Sequence, residues 1–369
     1  MRESARRRLP RAVFDYIDGG AEDETTLDRN SSAFGAYQLR ARVLVDVSTR
    51  SLATTVCGLP LDLPFLIAPT GLSGMVHPDG ELGGMRAALR HGTSLILSTA
   101  ASYSMEEITR ATGTAPWFQL YPTPVRDLSG ALLDRAAAVG CPAAVVTVDC
   151  PIVGRRERDL RNGAALPPQP SLSNIVSLAR HPRWVAGIVR GKRATMKNFE
   201  PDAGVVEAAT LAARSLRLLD PSLTWDALSW IRDRWSGPLL VKGLMHPDDA
   251  REAVSRGADG VIVSNHGGRQ LDGAMGTMEA LGPVVDAVAD RCDVLIDGGI
   301  RRGVHLVKAL ALGAKACLIG RPWLYGLAHG GTAGVDQTIE ILSSELDRAL
   351  ALLGVPSVDQ LERSLLAPW

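Results

Sequence analysis

Eight short apolar runs recur along the chain, each rich in Val, Ile, Leu or Ala and each stopping at a polar residue or a glycine. They are Phe65–Pro69, Leu95–Ser98, Trp117–Tyr121, Ala143–Asp149, Leu239–Gly243, Val261–Asn265, Val294–Gly298 and Ala316–Gly320. Near-continuous apolar runs of this length read as strands buried on both faces, the pattern of a parallel sheet. Between them lie stretches with helical periodicity, among them Leu128–Val139, Asp248–Arg256, Met278–Ala289 and Arg302–Leu312. Eight β/α units in unbroken order over roughly 250 residues predict closure into a (β/α)8 TIM barrel, not a doubly wound open sheet.

The flanks complete a one-domain reading of residues 1–369. Residues 1–64 read as a polar helical cap, with a small apolar stripe at Val13, Phe14 and Ile17, followed by strand-like lead-in segments at Val43–Val47 and Leu52–Leu61. The barrel is expected over 65–325. Residues 326–369 form a C-terminal helical segment, whose amphipathic stretch 335–353 is expected to return to the cap. One connection, 150–225, is far too long for a barrel loop and predicts a lid packed on the barrel mouth or on a neighbouring subunit. The alternative is a peripheral membrane contact through Ile175, Val176, Trp184, Ile188, Val189 and nearby cations; Pro182 breaks any continuous amphipathic helix there.

Charge and cysteine content remove several function classes. Lys plus Arg and Asp plus Glu are 40 each, so no global field attracts nucleic acid or an anionic membrane. The five cysteines are odd in number, scattered and without CxxC spacing, which argues against a disulfide framework or a zinc site, so no metal is expected. The basic start MRESARRRLP leads to Pro10 and Asp15 and not to an apolar segment. No apolar run approaches the roughly 18 residues of a membrane-spanning helix, and a reducing cytoplasm is the expected setting.

In a barrel, chemistry sits at the C-terminal ends of the strands. Those ends carry Pro69, Thr70 and Gly71; Ser98; Gln119 and Tyr121; Thr147 and Asp149; Lys242; Ser264, His266 and Arg269; Asp297 and Arg301; Gly320 and Arg321. So many polar groups imply a large polar ligand plus a second reactant. After the last two strands, DGGIRRG and IGRP combine glycines with arginines where barrels commonly bind phosphate. Neither GxGxxG nor GxxxxGK[ST] is present. A phosphorylated cofactor on a barrel is flavin mononucleotide or pyridoxal phosphate, and Lys242 suits either.

The motifs GAEDE (Gly20–Glu24), IAPTG (Ile67–Gly71), FQLY (Phe118–Tyr121), LVKG (Leu240–Gly243), SNHGGRQLD (Ser264–Asp272), DGGIRRG (Asp297–Gly303) and KALALGA (Lys308–Ala314) together resemble the FMN-dependent L-2-hydroxy acid oxidases and dehydrogenases. The resemblance runs from about Leu9 onward and implies FMN as cofactor. Carried over by position, it implies His266 as the base, paired with Asp149, and Arg156 and Arg269 on the substrate carboxylate. Arg155 stands beside Arg156 and is not separated from it by sequence. Tyr16 and Tyr121 fall on the active-site tyrosines. Flavin contacts fall on Pro69, Thr70, Gly71, Ser98, Gln119, Thr147, Lys242 and Ser264, and phosphate contacts on Asp297, Gly298, Gly299 and Arg301 with Gly320 and Arg321. Gly267 and Gly268 are expected to let the loop pass close above the substrate.

Two departures bear on the substrate. Glycolate oxidase has tryptophan at the position of Ala100, and many oxidases have alanine where Gly71 stands. RHPRW (Arg180–Trp184) and WIRDRW (Trp230–Trp235) look like mandelate dehydrogenase. Mandelate or 4-hydroxymandelate is therefore the expected substrate, with small aliphatic 2-hydroxy acids, or a peptide-modifying or isomerase reaction on the same barrel, as alternatives. Oxygen, or a quinone or cytochrome, is the expected electron acceptor, and the interrupted lid favours a soluble oxidase. The resemblance also implies a homotetramer.

Overall fold

The computed structural model describes residues 1–162, 172–191, 195–199 and 219–368. All eight apolar runs are strands of one parallel sheet. They are β1 (Phe65–Ile67), β2 (Ile96–Ser98), β3 (Trp117–Leu120), β4 (Ala144–Thr147), β5 (Leu239–Leu244), β6 (Gly260–Val263), β7 (Asp293–Ile296) and β8 (Ala316–Ile319). Neighbours in sequence are neighbours in space, and β8 returns to pair with β1 through Cys317–Phe65, Leu318–Leu66 and Ile319–Ile67. A bridge between Ile67 and Leu95 closes the ring between β1 and β2.

Successive side chains on a strand point to opposite faces, and the buried residues divide accordingly. Leu66, Ile96, Trp117, Val145, Leu240, Ile262, Leu295 and Leu318 form one cluster, the barrel interior. Phe65, Leu97, Phe118, Val146, Val241, Val263, Ile296 and Ile319 belong to the other, which packs against the surrounding helices. Both faces are apolar, which is why these strands read as continuous runs and not as alternations. The hairpin of Thr54–Val56 and Leu59–Leu61 puts Val56 and Leu61 into the interior cluster and plugs the end of the barrel remote from the strand C-termini.

The predicted helices form at Arg126–Ala138, Pro247–Ser255, Thr277–Val288 and Gly303–Ala311. The segment 335–353 lies in a longer helical run, Arg321–Leu353, broken by non-helical backbone at Gly330 and Gly331. The cap is met by the part of this run before the break, where Arg8 bonds the His329 carbonyl and Tyr325 Oη donates to Asp18 at 2.7 Å, whereas 335–353 bonds the lead-in, Asp347 accepting from Arg50 at 2.7 Å. Val43–Val47 is not a strand. Val43 and Leu44 stand exposed in irregular backbone, with Leu44 in the left-handed region, because no sheet edge lies alongside to accept the segment.

The long connection carries helices at Glu157–Arg161, Leu172–Ala179 and Pro182–Gly191. Pro182 opens the last of these, the helix position where a missing N–H costs nothing. Trp184 Nε1 donates to the Met75 carbonyl at 2.9 Å, and Gly191 lies so close to Pro78 that a Cβ would meet its ring at 2.8 Å. This helix therefore packs on the barrel mouth. The expectation at Ile175 falls on a side chain outside the described residues. Among the described residues no helix is long and apolar enough to cross a membrane.

Candidate active site

The interior face of the barrel changes from apolar to polar in one step. Two residues beyond Ile96, Trp117, Val145, Leu240, Ile262 and Leu295, on the same strand face, stand Ser98, Gln119, Thr147, Lys242, Ser264 and Asp297. These groups are buried, with Gln119 and Ser264 at 0% exposure. Ser98, Lys242 and Asp297 line a cleft with Tyr16, Pro69, Thr70, Gly71, Tyr121, Arg156, His266, Arg269, Gly298, Gly299, Arg301, Gly320 and Arg321, and Gln119, Thr147 and Ser264 stand beside them at the neighbouring strand ends. Asp149 lies behind His266, and so every site residue expected from sequence is brought to one end of the barrel.

Lys242 Nζ donates to Ser264 Oγ at 2.7 Å and pairs with Asp297 Oδ2 at 3.0 Å. Burial alone would lower the Lys242 pKa, but Asp297 and Asp149 outweigh it and hold the ammonium charged. Asp297 is thus turned towards Lys242, although the sequence places it with the phosphate loop. Gln119 Oε1 accepts from Ser98 Oγ at 3.0 Å and from the Thr99 amide, so its NH2 is presented outward and is left without a partner.

His266 sits just beyond β6 with φ +58°, followed by Gly267 at +66° and Gly268 at +73°. A left-handed histidine costs on the order of 1 kcal/mol and persists only where its surroundings hold it. Here Asn265 and Asn30 exchange two amide bonds of 2.8 Å, and the Gly268 amide donates to Asn265. A Cβ at Gly268 would meet the Leu27 amide nitrogen at 2.6 Å, and one at Gly267 would meet Arg321 Nη1 at 2.7 Å. These glycines admit the cap helix and Arg321.

The turn aims His266 Nδ1 at Asp149 Oδ1, 3.0 Å away, and Nε2 at Tyr121 Oη, 3.4 Å away. Burial would raise the Asp149 carboxyl, yet the adjacent His266 and the Lys242 charge bring it below the ordinary carboxylate range. Burial, with Cys150 and Asp149 beside it, pushes the Tyr121 phenol well up. Tyr121 is therefore a donor at any working pH.

Arg269 is folded under Tyr16, its guanidinium 5.2 Å from the ring centre and Nη1 donating to the Tyr16 and Gly19 carbonyls at 2.7 and 3.1 Å. Burial, then the positive charge of Arg156, pushes it down to about 9. Arg321, bonded to the Asp18, Gly19 and Gly267 carbonyls, is lowered to about 10 by burial and by Arg301. Arg156 keeps a buried Nε without a partner, whereas Arg155 faces solvent beside Glu157. The structure thus separates these two arginines. Five cations and two carboxylates, Asp149 and Asp297, line or abut the cleft, leaving three positive charges over. A phosphate monoester and one substrate carboxylate carry about that much negative charge.

The pattern of the FMN-dependent dehydrogenases matches residues 5–368. The chain belongs to the FMN-dependent dehydrogenase family. It is 44% identical over 371 residues to an L-lactate dehydrogenase of Caulobacter sp. (strain K31), covering 99% of this chain and 97% of that protein. It is 43% identical over 366 residues to an L-lactate oxidase of Nostoc sp. (strain PCC 7120), covering 98% and 95%. The fold is similar to that of a monotopic membrane protein, (S)-mandelate dehydrogenase, with a TM-score of 0.96, 42% identity and coverage of 100% and 98%. The protein is thus an FMN-dependent enzyme that oxidises 2-hydroxy acids.

The cleft fits that cofactor. Thr70 Oγ1 and Asp297 Oδ1 in its lining, with Gln119 Nε2 and Thr147 Oγ1 at the adjoining strand ends, are buried without hydrogen-bond partners, a pattern that calls for a polar ligand. The left-handed glycines 298 and 299, Gly320 at the start of the Arg321–Leu353 helix, Arg301 and Arg321 could take a phosphate.

Sequence reasoning passed over three residues. Asn30, in a cap helix, pins the histidine turn, and no local pattern marks an asparagine that bonds across 235 positions. Asp18 accepts from Arg2, Arg158 and Tyr325 and ties the cap to the barrel mouth. Cys150 touches both Asp149 and His266; its place directly after Asp149 was the available signal.

Proposed function

We propose that the enzyme oxidises an aromatic 2-hydroxy acid of the (S)-mandelate type to the 2-oxo acid, with His266 as the base. Arg156 and Arg269 anchor the substrate carboxylate as a bidentate pair and so fix the hydroxyl-bearing carbon. His266 Nε2, facing the cleft, takes the substrate proton while Asp149 orients the ring and stabilises the imidazolium. Tyr121 donates to the substrate oxygen as charge develops there, and Tyr16 closes the other side. FMN, when bound, accepts the two electrons that leave the substrate. Pro69, Thr70, Gly71, Ser98, Gln119, Thr147, Lys242 and Ser264 hold its ring, and Gly298, Gly299, Arg301, Gly320 and Arg321 its phosphate. Asp297 serves by pairing with Lys242.

The observation that carries the aromatic substrate is the wall at Ala100. A Cβ on Gly71 would lie 3.2 Å from Ala100 Cβ, so two minimal residues face each other at the cleft's edge. Ala100 continues into an apolar cluster of Leu72, Met75, Met196 and Phe199, the last two supplied by the long connection. An aryl ring finds apolar contact there. Steady-state comparison of (S)-mandelate, L-lactate and glycolate tests this. A higher kcat/KM for mandelate is expected, and a higher value for either aliphatic acid refutes it. The likeness to lactate enzymes supports the aliphatic reading, which the same assay decides.

For the electron acceptor, Val176, Leu178 and Val189 stand exposed beside Arg180, Arg183 and Arg190 on the connection's helices. An apolar face with flanking cations favours an acceptor met at a membrane surface, a quinone, over oxygen. Slow reoxidation of the reduced enzyme by oxygen in stopped flow is the expected result; fast reoxidation supports the oxidase reading.

A further inference from the structure

Behind His266, on the side away from the substrate cleft, three donor groups of different chemistry converge. Cys150 Sγ lies 3.3 Å from His266 Nδ1 and 3.3 Å from Asp149 Oδ1, and Nδ1 lies 3.0 Å from the same carboxylate oxygen. Asp149, its side chain 10% exposed, keeps Oδ2 buried without any partner. A second cavity is lined by Cys150. It shares only Tyr121 with the substrate cleft and carries the carboxylates of Asp220 and Asp249 on its walls. A cation thus has an acidic path to the cluster that avoids the substrate.

We propose that Cys150, His266 Nδ1 and Asp149 form an inhibitory site for a thiophilic divalent cation such as Zn2+ or Cd2+. Thiolate, imidazole and carboxylate on three corners, with one corner left for water, are the ligand types such ions select. Donors around a tetrahedral zinc with bonds of about 2.0–2.3 Å stand about 3.5 Å apart, so separations of 3.0 to 3.3 Å need open by only a few tenths of an ångström. The site is empty. Binding forms the metal–sulfur and metal–Nδ1 bonds; the thiol proton leaves to solvent, and the imidazole proton moves from Nδ1 to Nε2. A neutral imidazole has one N–H and one lone pair. With the lone pair of Nδ1 on the metal, Nε2 faces the cleft as N–H and has nothing with which to accept a proton.

The inhibition, though not the binding, rests on His266 being the base, and it has a kinetic form of its own. Because the ion enters behind the histidine, it lowers kcat without competing with the 2-hydroxy acid. The test titrates the FMN-loaded enzyme with Zn2+ and Cd2+, following turnover and, separately, the cadmium–thiolate absorption band. Cys150→Val and Cys150→Ser run in parallel, each judged by the ratio of its inhibited to its uninhibited rate and by its flavin spectrum as a check of folding. The expected result is one thiolate-bound Cd2+ per chain, a fall in kcat with KM unchanged, and reversal by EDTA. The metal concentration for half-inhibition should rise by at least about tenfold in Cys150→Val. Absence of a thiolate band in the wild type, or equal sensitivity of both variants, overturns the site. A band at one ion per chain with kcat intact overturns the inhibition and, with it, the assignment of His266 as base.

Discussion

Asp149→Asn isolates the electrostatic part of the His266 pair with almost no change of volume. In the wild type a carboxylate stands 3.0 Å from Nδ1 in a site from which water is largely withdrawn. When His266 takes the substrate proton, a positive charge forms about 4 Å from the centre of that carboxylate. At an effective dielectric near 20, such a pair gains about 4 kcal/mol. An amide recovers part of this through a neutral hydrogen bond, so about 2–4 kcal/mol is lost from the transition state, a fall of roughly 30- to 1000-fold in kcat. Asp149 touches neither Arg156 nor Arg269, and KM should therefore move far less than kcat. The assay is steady-state turnover with flavin content read from the visible spectrum, plus the isotope effect from substrate deuterated at the carbinol carbon. A variant with full flavin and kcat within about threefold of wild type would refute the pairing as a source of rate.

Three further outcomes follow from the same geometry. Arg269→Met, which removes a buried guanidinium already pushed down to about 9 by its surroundings, should raise KM by about ten- to a hundredfold through loss of a charge-assisted bond to the carboxylate, and an unchanged KM would assign that role elsewhere. Ala100→Trp puts a bulky side chain into the cleft lining that Ala100 forms, so kcat/KM for mandelate should fall more than that for glycolate. Asp18 is 4% exposed and, against its burial, Arg2 and Tyr325 hold its carboxyl below the usual range. Its contribution is therefore present above the unfolded value of about 3.9 and disappears as pH falls through the lower folded value. Asp18→Asn should lower Tm at neutral pH, by weakening pairs whose arginine partners are partly exposed and therefore screened, worth about 1 kcal/mol, and the difference from wild type should shrink in acid.

The strands were legible because burial on both faces leaves a run with no polar interruption, and the site was legible because it is the next layer of the same face. Once Ile96, Trp117, Val145, Leu240, Ile262 and Leu295 point inward, parity alone sends Ser98, Gln119, Thr147, Lys242, Ser264 and Asp297 to the mouth. Parity says nothing about partners, however, and it is there that sequence and structure part. Asp297 turns to Lys242 because a buried ammonium needs a counter-charge nearer than a phosphate loop can offer. Val43–Val47 has the composition of a strand, and composition cannot supply the missing edge. Arg155 and Arg156 are chemically identical neighbours, and only the backbone direction after Gly154 sends one into the cleft and the other to solvent.

Cys150 carries this limit into function. Read along the chain, it is one of five scattered cysteines that match no metal pattern; read in space, it completes a three-donor cluster whose other members come from a neighbouring residue and from the turn after β6. Spacing rules for metal sites assume ligands on one local element, whereas a barrel assembles its ligands from the ends of several strands. For this architecture, the residues that flank strand-end acids and bases in sequence are therefore the ones to test for control of the chemistry, since the fold places them within reach of it from the side that the substrate does not use.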